Sequence, residues 1–310
     1  MSARQKLGSV LATLLLFLQS ALIVTGGAVR LTGSGLGCPT WPECTPGSYT
    51  PVPHQAEGAL HSWIEFGNRL LTFALLAAAI AMVIFVLRNK QRNLYRLASV
   101  QVLGIVGQGV LGGITVLTKL NPIPVAGHFL LSIALMAGAQ SLRANIVKKI
   151  RYEFSPTTRL VARAVVILTL GVITMGTVVT GSGPHAGDAQ APRTGFDTRI
   201  VALIHADMVI ALLALTLGLL ISIHLAESGE KQRAIRHAVF IFLGVALWQG
   251  VIGYVQYFTG LPEIIVAAHL FGATMVWLST WNIVLLGNLL WREKSPPNNL
   301  YGTEQKELNN

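Results

Sequence analysis

Eight apolar stretches, each about 20 residues long, limit the folds open to this chain. Of its 310 residues, 52% are hydrophobic and only 12% are charged, a composition typical of a polytopic membrane protein. Lipid offers the backbone no hydrogen-bond partners, so we expect helices. The predicted class is an all-α membrane protein with eight transmembrane helices, at roughly 8–29, 66–87, 97–117, 125–145, 161–181, 200–222, 236–258 and 265–290.

The basic residues predict the orientation of these helices. Eighteen of the 23 Lys and Arg fall on one side, so the positive-inside rule predicts cytoplasmic termini and outer loops at 30–64 and 182–199. We expect a multi-pass protein of the plasma membrane whose first helix is retained. The net charge of +10 does not indicate nucleic acid, because the basic residues are spread over inner loops, where topology and anionic lipid account for them.

An internal repeat divides the chain. Gln-Gly-Val-Leu-Gly at 108–112, followed by His128, recurs 141 residues later as Gln-Gly-Val-Ile-Gly at 249–253, followed by His269. A preserved gap between a glycine-rich helix face and a histidine indicates a duplicated unit. We predict two tandem four-helix bundles, an N-terminal half at 1–150 and a C-terminal half at 151–310 with a cytoplasmic tail. A pseudo-two-fold axis along the membrane normal should relate them.

Four positions on the even-numbered helices are predicted to lie at one depth near the outer face. A second match aligns 68–76 with 205–213 and so pairs Asn68 with His205; His128 and His269 are the other two positions. Two histidines on facing helices of a bundle are the arrangement that holds a haem iron between imidazoles. Glycines on the third helix of each half would permit close approach of a flat macrocycle.

The first half carries a carboxylate that the second half lacks. Glu65 lies one helical turn before Asn68, and His61 lies one turn before Glu65, whereas Val201 or Ala202 stands at the matching place in the second half. Asymmetric charge in a duplicated scaffold suggests that one half performs chemistry. The alternative is an i,i+4 pair of Glu65 with Arg69 that only satisfies both groups.

Two cysteines, Cys38 and Cys44, are the only ones in the chain, and both fall in the first outer loop. A disulfide can persist in that oxidising compartment. It would serve either as a staple of the loop or in a redox or gating role. Two thiols without a paired histidine motif are too few ligands for zinc.

The segment from Gly26 to Pro39, with Trp-Pro-Glu-Cys at 41–44 after it, resembles the signature of the haem A synthase family of membrane enzymes. The resemblance extends to His269. It implies eight helices in two halves and an oxidoreductase that converts the C8 methyl group of haem O to a formyl group. The product, haem A, would serve aa3-type cytochrome oxidases. Haem O, haem O synthase and the cytochrome oxidase assembly machinery are the implied partners, beside membrane lipid; a homo-oligomer is left open.

The resemblance also implies roles for individual residues. His205 and His269 would hold a haem b cofactor, and His128 would bind the iron of the substrate haem. It matches Glu65 and Arg69 to the family's Glu-x-x-His-Arg motif, and Cys38 and Cys44 to the cysteine pair of its outer loop. From chemistry, we expect Glu65 to accept a proton from the reacting carbon or stabilise positive charge there, and Arg69 to bind a haem propionate.

Asn68 departs from the family motif, which has a histidine there. A neutral amide is a poor haem ligand, so either His128 alone holds the substrate iron or His61, two turns before Asn68 on the same face, substitutes.

Two other classes of protein compete with the enzyme. A non-catalytic di-haem b-type protein relaying electrons from quinol would have two similar bis-histidine sites, which Asn68 disfavours. A parallel-repeat transporter would place polar residues at broken helices near the midplane. The predicted sites lie near the outer surface instead.

Overall fold

The computed structural model describes residues 3–289. Its helices are α1 (Ala3–Leu31), α2 (Ala59–Arg88), α3 (Tyr95–Leu117), α4 (Pro122–Ile146), α5 (Pro156–Ser182), α6 (Thr198–Ala226), α7 (Gly229–Phe258) and α8 (Glu263–Leu286). A 3-10 turn at Arg92–Leu94 precedes α3. All eight helices are long and apolar enough to cross a membrane, so the predicted eight-helix, all-α class is confirmed.

The helices are mostly longer than the predicted spans. The largest differences are at the starts of α2 and α7, each of which begins seven residues before its predicted span (59 against 66, and 229 against 236). Apolar sequence marks the part of a helix that crosses lipid, whereas the backbone continues as helix into the polar flanks. The eighth helix ends at Leu286, before the predicted 290, and the predicted tail with its basic residues lies outside the described residues.

Side-chain caps help to set where several helices begin. Asn121 caps α4 by accepting the N–H of Ile123, and Ser155 caps α5 by accepting the N–H of Thr158. Proline occupies the first turn of both helices, where it has no hydrogen bond to lose. Asp197 caps α6 in the same way through two backbone N–H groups.

The helices form two groups, named here the first half (α1–α4) and the second half (α5–α8). Within each half, neighbours in the chain pack side by side, and the fourth helix closes against the first. The second and fourth helices of a half therefore stand on a diagonal. The halves meet through contacts of α1 with α8, α4 with α8 and α4 with α5. The two-fold axis and the domain boundary at 150 stay predictions.

Polar side chains fasten the two halves together. Trp277 Nε1 donates to the carbonyl of Ile133 at 2.8 Å, and Trp281 Nε1 donates to Ser141 Oγ at 2.7 Å. Gln140 Nε2 donates to a carbonyl of α8 at 3.0 Å. Within lipid such hydrogen bonds hold helices together where apolar burial gives no driving force.

The buried core of each half lies away from the two long loops, residues 32–58 and 183–197. The buried residues of α4 begin at Ile133 and those of α8 at Thr274. On α2 and α6, none of the described residues at 66–74 and 202–211 is buried. The part of each bundle next to the long loops is thus loosely packed around the four predicted site positions.

Candidate functional site

The four positions lie at a similar depth, measured from the long-loop end of each helix. His128 is six residues into α4 (122 to 128), His269 six into α8 (263 to 269), His205 seven into α6 (198 to 205) and Asn68 nine into α2 (59 to 68). At 1.5 Å per residue these positions are about 9–14 Å from the helix starts. They occupy the second or third turn, slightly deeper than the first turns that the sequence predicts.

A glycine lies under the histidine ring at both copies of the repeated motif. A Cβ atom added to Gly112 would sit 3.3 Å from His128 Cε1, and one added to Gly253 would sit 3.1 Å from His269 Cε1. Both distances are tighter than an ordinary van der Waals contact. The glycine therefore lets α3 or α7 lie flat against the imidazole of the next helix.

A looser contact, at ordinary van der Waals distance, exists between the first and second helices of each half. A Cβ atom on Gly176 would be 3.4 Å from His205 Cε1, and one on Gly26 would be 3.9 Å from Asn68 Nδ2. Asn68 therefore occupies the histidine position of the first half, as the sequence match predicts. The two halves therefore differ in the side chain at this position and not in where the position lies in the bundle.

The glutamine that opens each motif holds the histidine backbone. Gln108 Nε2 donates to the carbonyl of His128 at 3.0 Å, and Gln249 Nε2 donates to the carbonyl of His269 at 2.7 Å. Glutamine and the motif's last glycine are four residues apart and so share one helix face. The motif thus combines a hydrogen bond to the histidine backbone with a flat surface for its ring.

The imidazoles present one nitrogen outward. Nδ1 is buried without a hydrogen bond in His128 and His269; in His205 it lies near the carbonyl of Val172 without good hydrogen-bond geometry. Nε2 is not enclosed in this way in any of the three, and it makes no hydrogen bond within residues 3–289. His205 and His269 are close enough for charge on one to act on the other. Nε2 is therefore the nitrogen free to bind iron.

These features fit a haem in each half. A haem would lie in a slot between helices and take at least one histidine; the diagonal helices with half-buried surroundings provide such a slot in each half, with two histidines in the second half and His128 in the first. Among the described residues, no group of three or more His, Cys, Asp and Glu could hold a metal ion by itself.

Glu65 forms the ion pair that the sequence offered as an alternative. Arg69 Nη2 lies 2.6 Å from Glu65 Oε1, and Arg69 Nε donates to the same oxygen at 3.1 Å. The other oxygen, Oε2, accepts the backbone N–H of Cys38 at 2.7 Å. Glu65 is only 6% exposed, so this carboxylate joins α2 to the first long loop from a buried position.

Arg69 completes a clamp on that loop. Its guanidinium donates to the carbonyls of Cys38 at 2.9 Å, Thr40 at 3.2 Å and Glu43 at 3.2 Å. The predicted disulfide between Cys38 and Cys44 is present, and both cysteines are buried. These contacts engage all three guanidinium nitrogens of Arg69. Binding of a haem propionate by Arg69 stays a prediction.

The loop also covers the end of the first half. The indole of Trp41 lies directly on α3, where a Cβ atom added to Gly113 would be 2.5 Å from the ring. The loop at residues 37–44, which the disulfide closes, is held by Glu65 and Arg69 on one side and by this contact with α3 on the other. It covers the first-half site and is named here the lid.

His61 and Asn68 have different surroundings. His61 Nδ1 is 2.9 Å from Ser34 Oγ, and its carbonyl lies against Gly37 of the lid. Asn68 instead lines a cavity of about 390 Å³ between α1 and α2. Its Oδ1 accepts a hydrogen bond from Thr25 Oγ1 at 2.7 Å. The structure thus brings Asn68 to the cavity and places His61 beneath the loop.

Arg30, near the end of α1, joins that helix to the end of α5 and to the second long loop, and it was not among the predicted site residues. Its Nη2 donates to the carbonyl of Thr180 at 2.8 Å and its Nε donates to the carbonyl of His185. Beside it the N–H of Gly35 donates to the carbonyl of Gly187 at 2.9 Å. An arginine at the end of a membrane helix, on the side with few basic residues, was the available signal.

The fold and the site define a multi-pass membrane protein with a histidine site in each half. The model of the COX15-CtaA family, described as cytochrome oxidase assembly protein, matches residues 9–281, and the chain belongs to this family. It is 30% identical over 210 residues to a haem A synthase of Methylobacterium sp. (strain 4-46), covering 54% of this chain and 56% of that protein.

Two further relatives match over shorter lengths. The haem A synthase of Lysinibacillus sphaericus is 31% identical over 145 residues, 46% of this chain and 45% of the relative. That of Geobacillus kaustophilus is 30% identical over 109 residues, 34% of this chain and 32% of the relative. The matches therefore span between about a third and just over half of these relatives' lengths.

Proposed function

We propose that this protein is a haem A synthase, an oxidoreductase that converts the C8 methyl group of haem O to a formyl group. The observation that carries the proposal is the unequal pair of sites: the second half has histidines at both diagonal positions, and the first has His128, Asn68 and a buried carboxylate. Membership of the family and the names of the three relatives support the same reaction.

The second half is proposed to hold a haem b cofactor. His205 and His269 would bind its iron through Nε2 from diagonal helices, and Gly176 and Gly253 would let the flanking helices lie against the rings. When bound, haem b supplies one-electron chemistry. The protein sets the ring orientation, partly through the hydrogen bond of Gln249 to the His269 carbonyl.

The first half is proposed to bind the substrate, haem O, with His128 on its iron. Glu65, one turn from Asn68, would then accept a proton from the reacting carbon or stabilise positive charge there. Its oxygens already accept hydrogen bonds from Arg69 and Cys38, but a carboxylate has further lone pairs for a third partner. These three hydrogen bonds, two from Arg69 and one from Cys38, would fix the carboxylate beneath the lid and limit its contact with water.

The reaction places the protein between two other activities. A haem O synthase must supply the substrate, and the assembly of aa3-type cytochrome oxidase must take up the product. We propose that the protein works in the plasma membrane with both termini in the cytoplasm, following the distribution of its basic residues.

Co-expression with a haem O synthase in a host without haem A tests this function. Haem extracted from the membranes should contain haem A by mass analysis, and cells with the synthase alone should contain only haem O. The His128→Ala variant is the matched control, because it removes the proposed substrate ligand and leaves the second half intact. Accumulation of haem O alone, with two spectrally alike low-spin haems in the pure protein, would support the electron-transfer class instead.

A further inference from the structure

Asn68 and His205 occupy equivalent positions, but the residue that precedes the supporting glycine differs. In the first half Thr25 precedes Gly26, and its hydroxyl bonds to Asn68 Oδ1 at 2.7 Å. In the second half Met175 precedes Gly176, and a thioether cannot donate a hydrogen bond. The first half therefore has a donor on α1 that matches its asparagine.

The hydrogen bond sets which way the amide faces. The Thr25 hydroxyl has a single proton, and its other neighbour, the carbonyl of Leu22, lies at 3.4 Å. The much shorter contact to Asn68 takes the proton, so Oδ1 is the acceptor and Nδ2 points away from Thr25. Nδ2 makes no hydrogen bond to any described residue, so its N–H groups are free to donate to a bound ligand.

This arrangement disfavours Asn68 as an iron ligand and retains it as a donor. The carbonyl oxygen is the one atom of an amide that could bind iron; Thr25 engages one of its lone pairs, and a neutral amide is a poor haem ligand. Apart from Thr25 and Asn68, the cavity beside it is lined by apolar side chains and glycine, and these offer no replacement ligand. His61, the other candidate, is bonded to Ser34 beneath the lid.

We propose that the first half binds haem through His128 alone, and that Asn68, oriented by Thr25, keeps the opposite axial position open for a small exogenous ligand. The ligand class is a diatomic molecule or small anion whose outer atom accepts a hydrogen bond from Asn68 Nδ2. This inference rests on the proposed function, since it requires a haem in the first half. It gives that site an open coordination position that the second half, with two histidines, does not have.

Carbon monoxide is the probe for the test. The purified protein is loaded with haem b, reduced and titrated with carbon monoxide, and absorption and infrared spectra are recorded. Wild type should bind carbon monoxide at one of its two haems, with the other remaining low-spin. Asn68→His should close the site, giving two low-spin haems and no carbon monoxide adduct. His205→Asn is the matched control and should open the second half to carbon monoxide.

Two milder variants test the hydrogen bond itself. Asn68→Leu should still bind carbon monoxide, but the C–O stretching frequency should rise and the ligand should leave faster, by roughly fivefold for a lost neutral hydrogen bond. Thr25→Val should broaden or split the C–O band, because the amide is then free to rotate. An unchanged C–O band in Asn68→Leu would overturn the donor role.

The outcomes separate this inference from the proposed function. A wild-type first-half haem that is low-spin and refuses carbon monoxide overturns the open position, whether or not haem A is formed. If His61→Ala then admits carbon monoxide, His61 is the second ligand. If His128→Ala leaves the bound haem count and the carbon monoxide adduct unchanged, the first half has no haem through His128, and the substrate site of the proposed function fails as well.

Discussion

The two halves share the parts that hold a histidine ring and differ in the parts that could perform chemistry. Glycines at 26, 112, 176 and 253 support the four site positions, and Gln108 and Gln249 hold two backbones in the same way. Glu65 has no counterpart, because Val201 or Ala202 stands at its place in the second half. The ring supports are thus common to both halves, and the differences are concentrated next to one of them.

The two halves also differ in how their long loops are held. In the first half, Glu65 and Arg69 fasten a disulfide-closed loop over the bundle, and Trp41 rests on α3. Position 206, which matches Arg69, is alanine, so the second half cannot build the same clamp. A loop fastened in this way over the first half is consistent with a substrate that enters and leaves that half and a cofactor that stays in the second.

The largest expected effect comes from replacing the histidines, which should affect the proposed cofactor half and the proposed substrate half differently. His269→Ala or His205→Ala should remove the proposed haem b or convert its low-spin spectrum, because each variant would lose a proposed axial ligand. His128→Ala should leave that spectrum intact while haem A production is lost. Absorption spectra and haem-to-protein ratios measure both. Full haem b with an unchanged spectrum in either second-half variant would show that the two ligands are assigned to the wrong residues.

Glu65→Gln should remove the carboxylate that the first half carries and the second half lacks, without disturbing the glycine and glutamine contacts that both halves share. We expect haem A production to fall by roughly 10²-fold or more, the usual scale for losing an acid–base group, while the haem b spectrum stays normal. Haem A is quantified by mass analysis after extraction.

The loop provides the control for that experiment. A double variant, Cys38→Ser with Cys44→Ser, loosens the lid and keeps the carboxylate. If it loses as much activity as Glu65→Gln, the carboxylate acts through the loop that it holds. Near-normal conversion by Glu65→Gln would leave Glu65 as a structural partner of Arg69.

The sequence predicted the eight helices and the histidine positions of the repeat well, because both depend on local patterns. Gly26 and Gly176 escaped notice, since Asn68 follows its glycine by 42 residues (26 to 68) and His205 by 29 (176 to 205). The unequal loops between α1 and α2 and between α5 and α6 destroy the constant spacing that revealed the other pair.

The long-range polar contacts could not be predicted from the sequence, for a different reason. Arg69 donates to the carbonyl of Thr40, which is 29 residues away in the chain. Thr25 donates to the side chain of Asn68, which is 43 residues away. No periodic pattern encodes such pairs. Only the i,i+4 ion pair with Glu65 could be anticipated, because helix geometry brings those residues together.

A smaller effect should follow from filling the glycine beneath a ring. In Gly253→Ala the new Cβ would lie 3.1 Å from His269 Cε1 and must push the imidazole or α7 aside. Overpacking of this kind costs about 1–3 kcal/mol. We expect weaker haem b retention, measured by haem transfer to an excess of a soluble haem acceptor.

Gly250→Ala is the matched control in the same motif. Nothing lies within 4 Å of its added Cβ, so it changes helix propensity alone. In the first half, Gly112→Ala should leave haem b retention unchanged. Equal loss of haem b from the 250 and 253 variants would mean that ring support is not the role of the motif.

The smallest effect should distinguish the two glutamines. Gln108 donates to both the His128 carbonyl and Ser132 Oγ, at 3.0 and 2.6 Å, whereas Gln249 donates only to the His269 carbonyl. Side-chain hydrogen bonds between membrane helices average roughly 0.6 kcal/mol. Gln108→Leu should therefore lower the thermal unfolding midpoint more than Gln249→Leu, as measured in detergent on the haem-free protein.

Gln256→Leu is the control for this comparison. Gln256 is on α7 and makes no side-chain hydrogen bond to any described residue, so its replacement should change the unfolding midpoint least. A larger loss at 249 than at 108 would indicate that the second half depends on its motif more strongly than these contacts predict.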